Sequence, residues 1–105
     1  MSVEEIFDRV SERLVAEDPG LERGRMFSSV GLRTENGKFC AFARRDELVV
    51  KLPAERVAEL IAGGEGAIFD AGKGRPMKEW VRLQPRDETA CMAYVLEARS
   101  FVSRS

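Results

Sequence analysis

The densest chemistry in the chain lies at residues 71–80, AGKGRPMKEW, where two glycines alternate with Lys73 and Arg75 and Lys78 leads into the only tryptophan, Trp80. Exposed backbone N–H groups at the glycines, with three cations beside them, suit a phosphate or carboxylate. The spacing is not that of a P-loop, which needs Gly-x-x-x-x-Gly-Lys followed by Ser or Thr. The segment therefore reads as a basic connection between strands whose candidate anion or partner contacts are Lys73, Arg75, Lys78, Trp80 and Arg82. Trp80 itself reads first as a core residue of the strand that follows, and second as a base-stacking platform beside Arg75 or Arg82.

Other groups give no complete catalytic constellation. Asp70 and Glu79 flank the loop among bases, where surface ion pairing explains them, and no second clustered acid makes a metal site. We assign no catalytic residue, no metal ligand and no cofactor contact. The chain has no histidine, which removes Ser-His and Cys-His dyads and the H-E-x-x-H zinc site. Acid–base work by Asp, Glu, Lys or Tyr would need a large pKa displacement. Cys40 and Cys91 are too few and too distant for a zinc pattern and read as small buried apolar groups. A regulatory disulfide requires the strand and helix carrying them to meet in suitable geometry.

The net charge is −1, but the charge comes in blocks. Residues 23–51 carry seven bases against three acids, and residues 72–86 carry five against one, while residues 1–22 are strongly acidic. Two basic blocks on strand-like segments form a positive patch only if the fold brings them together. The near-zero total gives no general attraction to nucleic acid. With 44% hydrophobic residues in 105, the chain supports the core of one domain, spanning residues 1–105. Uncharged runs fall far short of the ~20 apolar residues of a membrane span, and MSVEEIFDRV lacks the basic start and apolar core of a signal peptide. The expectation is a cytoplasmic protein without membrane partners.

The elements that must position these residues follow from periodicity. VEEIFDRVSERLVAE places Val3, Ile6, Phe7, Val10 and Leu14 on one helical face, with a Ser2–Glu5 capping box and a stop near Asp18-Pro19-Gly20. RMFSSVGLRTENGKFCAFARRDELVVKL reads as three antiparallel strands turning at Asn36-Gly37 and at Arg45-Asp46. Met26, Ser28, Val30 and Leu32 share one face of the first of these, and Leu48, Val50 and Leu52 share a face of the third. Phe39 and Phe42 are expected on opposite faces, as are Phe27 and Val30, which leaves an aromatic on a non-core face. Arg44-Arg45 reads as a solvated tip.

Pro53 is suited to the first position of the helix AERVAELIA, whose stripe is Val57, Leu60 and Ile61 and whose stop is Gly63-Gly64. AIFDA and EWVRL read as strands, and a last helix capped by Asp87 buries Cys91, Tyr94, Val95, Ala98 and Phe101. The predicted class is α+β, in the order α-β-β-β-α-β-β-α, with a largely antiparallel sheet packed with amphipathic helices.

An ordered set of residues resembles the N-terminal domain of TfoX, of the TfoX or YjbR-like kind. It comprises Arg25-Met26-Phe27, Gly31, Asn36-Gly37-Lys38-Phe39, Ala41-Phe42, residues 47–52 (ELVVKL) and the stretch from Gly72 to Trp80. Ser28-Ser29 replaces the usual glycine pair, and Val49 stands where an aromatic is common. The TfoX C-terminal domain has no counterpart in these 105 residues. The resemblance implies an α/β domain with no catalytic residues to carry over, and its name suggests regulation. The leading expectation is thus a non-enzymatic protein-interaction or regulatory domain acting through a protein partner or self-association. The alternative is a weak nucleic-acid or nucleotide/anion-binding module using the basic 73–82 loop. A small-molecule enzyme is third.

Overall fold

The computed structural model describes residues 1–26, 29–70, 74 and 76–104. Helix α1 (Val3–Glu17) forms as its apolar spacing requires, burying Val3, Ile6, Phe7, Val10 and Leu14. The Ser2 hydroxyl accepts from the Glu5 amide while the Glu5 carboxylate accepts from the Ser2 amide, closing the capping box. A carboxylate distant in sequence adds to this end. Asp46 Oδ1 accepts from the Val3 amide at 2.8 Å, and the Asp46 amide donates to Glu4 at 2.9 Å.

Strands β1 (Glu22–Met26), β2 (Ser29–Arg33), β3 (Phe39–Arg44) and β4 (Glu47–Lys51) form an antiparallel meander. The expected first strand is thus two: Arg25 pairs with Val30 and Met26 with Ser29, so the chain reverses where one continuous strand was expected. Phe27 and Ser28 lie outside the described residues. The Glu35–Lys38 reversal works as read, with Gly37 at φ +80, a conformation that favours glycine. Arg45 and Asp46, both at positive φ, form the β3–β4 turn. Arg45 is exposed there as read and Arg44 half-buried, while Asp46 ties the turn to α1 and its carbonyl accepts from Gln84 at 3.3 Å.

Helix α2 (Ala54–Ala62) follows, with Pro53 at the cap rather than at the first helical position. Its ψ of 145° is extended, so the ring's fixed φ guides entry one residue earlier than expected. Strands β5 (Gly66–Ile68) and β6 (Trp80–Leu83) complete a six-stranded sheet in the order β1-β2-β3-β4-β6-β5. β6 pairs with β4 on one side and β5 on the other, so α2 carries the chain past β6 to the sheet's edge. Helix α3 (Glu88–Ser103) is capped by Asp87, whose carboxylate accepts from the Ala90 amide at 2.9 Å.

The helices share one face of the sheet. There Leu32, Cys40, Ala41, Leu48, Val50, Val81 and Leu83 pack against α1, α2 and α3 in the main core. Alternation sends Phe42, Val49 and Trp80 to the opposite face, where Phe69 joins them in a second cluster with Phe39 beside it. Phe39 and Phe42 therefore share a face, contrary to their spacing. The cause is a β-bulge: Leu32 pairs with Ala41 and Arg33 with Phe39, so Cys40 is the extra residue. Gly31 lies against this aromatic pair. A Cβ there would meet Phe39 and Phe42 at 3.1 Å and the Ala41 carbonyl oxygen at 2.8 Å.

Candidate functional site

The structure separates the residues that the sequence groups around the basic loop. Lys73 and Arg75 lie outside the described residues. Trp80 starts β6 opposite Lys51, and its ring is only 7% exposed. It packs at 5.7 Å from Phe42 and 6.5 Å from Phe69, centroid to centroid, with the Lys51 ammonium 5.9 Å from its own centroid. The core placement expected for Trp80 holds, though in the second cluster rather than beneath the helices. Arg82 emerges on the same face one pair further along, where its Nε donates to the Ile68 carbonyl at 2.8 Å and its Nη1 to Glu47 at 3.1 Å. Lys78 is exposed on the return toward β6.

That return is fixed by backbone bonds. The Met77 amide donates to Phe69 O at 2.8 Å, the Trp80 amide to Met77 O at 3.2 Å, and the Leu52 amide to Glu79 O at 2.9 Å. Met77 and Lys78 are thereby held beside α2. Between them and the helix runs an apolar groove with a cavity of about 290 Å³, floored by Val57 and Trp80 and walled by Ile61, Ile68, Met77 and Lys78. Ile68 is 53% exposed and Met77 37%, and both line this groove. Lys78 is the charged group on the groove wall, and Lys51 joins it in the recess next to it. Among the described residues β5 lies at the edge of the sheet and pairs with β6 alone. Periodicity identified Val57 and Ile61 as a helix stripe, but Ile68 looked like an ordinary strand residue. Only the placement of β5 outside β6 reveals its exposure.

Across the sheet edge lies a more polar cleft of about 320 Å³, whose walls include Arg44, Arg45, Glu47, Phe69, Asp70 and Arg82. Arg44 and Arg45 come from the first basic block and Arg82 from the second, so the two blocks do meet here. They meet around Phe69 and not around an exposed tryptophan. The Arg44 guanidinium lies 6.0 Å from the Phe69 ring centroid.

Cys40 and Cys91 are free and buried, and burial pushes both thiols up to about 12. At the far end of the helix layer, Arg99 of α3 bonds Asp18 at 2.9 Å and Glu35 at 3.1 Å. Its hydrogen bonds are the main reason both carboxyls lie below their ordinary values of 3.8 and 4.5. Among the described residues no group of three or more Cys, Asp or Glu side chains is arranged to hold a metal ion. No helix of the described chain is long and apolar enough to cross a membrane. No family model, no curated protein and no solved structure matches the chain.

Proposed function

We propose that this is a non-enzymatic protein-interaction domain of the TfoX N-terminal-like kind, acting in regulation, and that the α2–β5 groove is its contact surface. The observation that carries the reading is the joint exposure of Ile68 and Met77 over one apolar groove beside an edge strand. The occupant is an extended segment of a partner protein. It adds to the free side of β5 by main-chain pairing, sets alternate apolar side chains into the groove, and places a carboxylate against Lys78. The resemblance carried by Gly31, Asn36-Gly37 and the ELVVKL strand supports a regulatory setting. A second copy of the chain is the competing occupant. Burial of Trp80 beneath Lys51 does not favour base stacking there.

Selection from a random displayed-peptide library tests this directly. Bound sequences should alternate apolar residues and carry an acid at one end. Ile68→Asp should abolish their binding, and Lys78→Glu should reverse the preference from acidic to basic flanks. A selection that returns no alternating consensus, or peptides indifferent to both changes, removes the reading. Concentration-dependent dimerisation lost in Ile68→Asp would assign the groove to a second copy instead.

A further inference from the structure

We propose a second site, in the cleft between the β3–β4 turn and the end of β5, which takes a small phosphorylated polyol of the sugar-phosphate class. Three arginines from separate elements converge on it: Arg44 at the end of β3, Arg45 in the turn and Arg82 in β6. Guanidinium groups match phosphate oxygens in bidentate geometry. Arg82 is oriented by bonds to the Ile68 carbonyl at 2.8 Å and to both carboxylate oxygens of Glu47 at 3.1 and 3.3 Å.

Arg45 sits at φ 52 and Asp46 at φ 60. A two-residue turn with positive φ at both positions favours Asn-Gly, and an arginine there carries strain. The turn is nonetheless held by Asp46, whose amide, carboxylate and carbonyl engage Glu4, Val3 and Gln84. An anchored, strained turn thus presents an exposed guanidinium at the mouth of a cleft, where an unstrained residue would serve the fold better.

The acids define the rest of the ligand. Glu47 and Asp70 line the same cleft, so a bare polyanion meets repulsion as well as attraction. Carboxylates accept hydrogen bonds from hydroxyl groups, which a sugar supplies on the side away from its phosphate. Phe69 is 5% exposed and has Arg44 over its ring, so no aromatic face is offered to a nucleobase. A cavity of about 320 Å³ is at the small end for ligand sites and fits such a compact molecule.

The test is an NMR titration of the full chain with ribose 5-phosphate, ribose and inorganic phosphate. Ribose 5-phosphate should shift the amides of residues 44–49, 68–70 and 82, and should bind about tenfold more tightly than phosphate, since the acids add hydrogen bonds to the hydroxyls. Arg45→Gly relieves the turn, so it should keep or raise the melting temperature while weakening binding about tenfold. Lys78→Glu changes a groove residue that does not line the cleft and should leave this binding unchanged, which separates failure here from failure of the groove. Absence of shifts at these residues, or wild-type affinity in Arg45→Gly, overturns the site. Equal binding of phosphate and ribose 5-phosphate overturns the sugar half of the assignment.

Discussion

The two faces of the sheet bury their side chains by different means. The helix-covered face is aliphatic and spread over every strand from β2 to β4 and β6, with three helices laid across it. The opposite face gathers Phe42, Val49, Phe69 and Trp80 into a small cluster with no helix of the described residues over it. Cations border this cluster: Arg33 lies 5.6 Å from the Phe39 centroid, Arg44 lies near Phe69 and Lys51 near Trp80. An aromatic cluster rimmed by long charged side chains lets one face stay dry without a second layer of secondary structure. The cleft and the groove both lie at the β5–β6 end.

The comparison breaks most visibly if the second cluster is only decoration. Phe42→Ala should cost about 3–5 kcal/mol and Leu48→Ala about 2–5 kcal/mol, because both side chains are fully buried. Chemical denaturation measures both, and a Phe42→Ala cost below about 1 kcal/mol would reduce the aromatic cluster to surface cover. Gly31→Ala should destabilise by about 1–3 kcal/mol, since its methyl group would collide with the backbone at Ala41 as well as with the Phe39 ring and the Phe42 Cβ. A thermal melt equal to that of the unsubstituted chain would show that the bulge region can yield.

Arg99 sharpens the contrast at the helix-covered side. Asp18 and Glu35 titrate below their ordinary values when folded, so they contribute stability that is present above those values and lost as pH falls through the lowered ones. Arg99→Ala should cost about 1–2 kcal/mol near neutral pH, and should flatten the fall in stability below pH about 4. An unchanged acid slope would mean these bonds are not maintained in solution. Lys51→Ala, removing one rim cation from the open face, should cost about 0.5–1 kcal/mol. Here a double-mutant cycle with Trp80→Leu is the measurement, and additivity would deny the cation–ring contact.

Much of this arrangement is legible in the chain. The Ser2–Glu5 box, the Asn36-Gly37 turn, the Gly63 stop and the Asp87 cap depend on residues close in sequence, and each forms as read. What escapes is set by pairing. The Cys40 bulge inverts the phase between Phe39 and Phe42, and no local residue announces it. The split into β1 and β2 hides in a stretch that a single strand fits equally well. At the candidate sites, Lys78 and Arg82 are readable as cations near a loop. That they line different cavities depends on β5 lying outside β6, which is a property of topology. The turn at Asp46 is similar, since its partners Val3 and Glu4 lie over forty positions away.

The sole tryptophan lies in the open-face cluster, whereas both thiols lie under the helices. Each face of one sheet therefore carries its own native reporter. Indole fluorescence follows the aromatic side, and the rate at which a thiol reagent gains access follows the aliphatic side. If the two signals change together along a denaturant series, the faces unfold as one cooperative unit. If fluorescence moves first, the rim of cations opens as a separate event, and the β5–β6 end becomes the part of the molecule that can loosen while the helix layer stays intact.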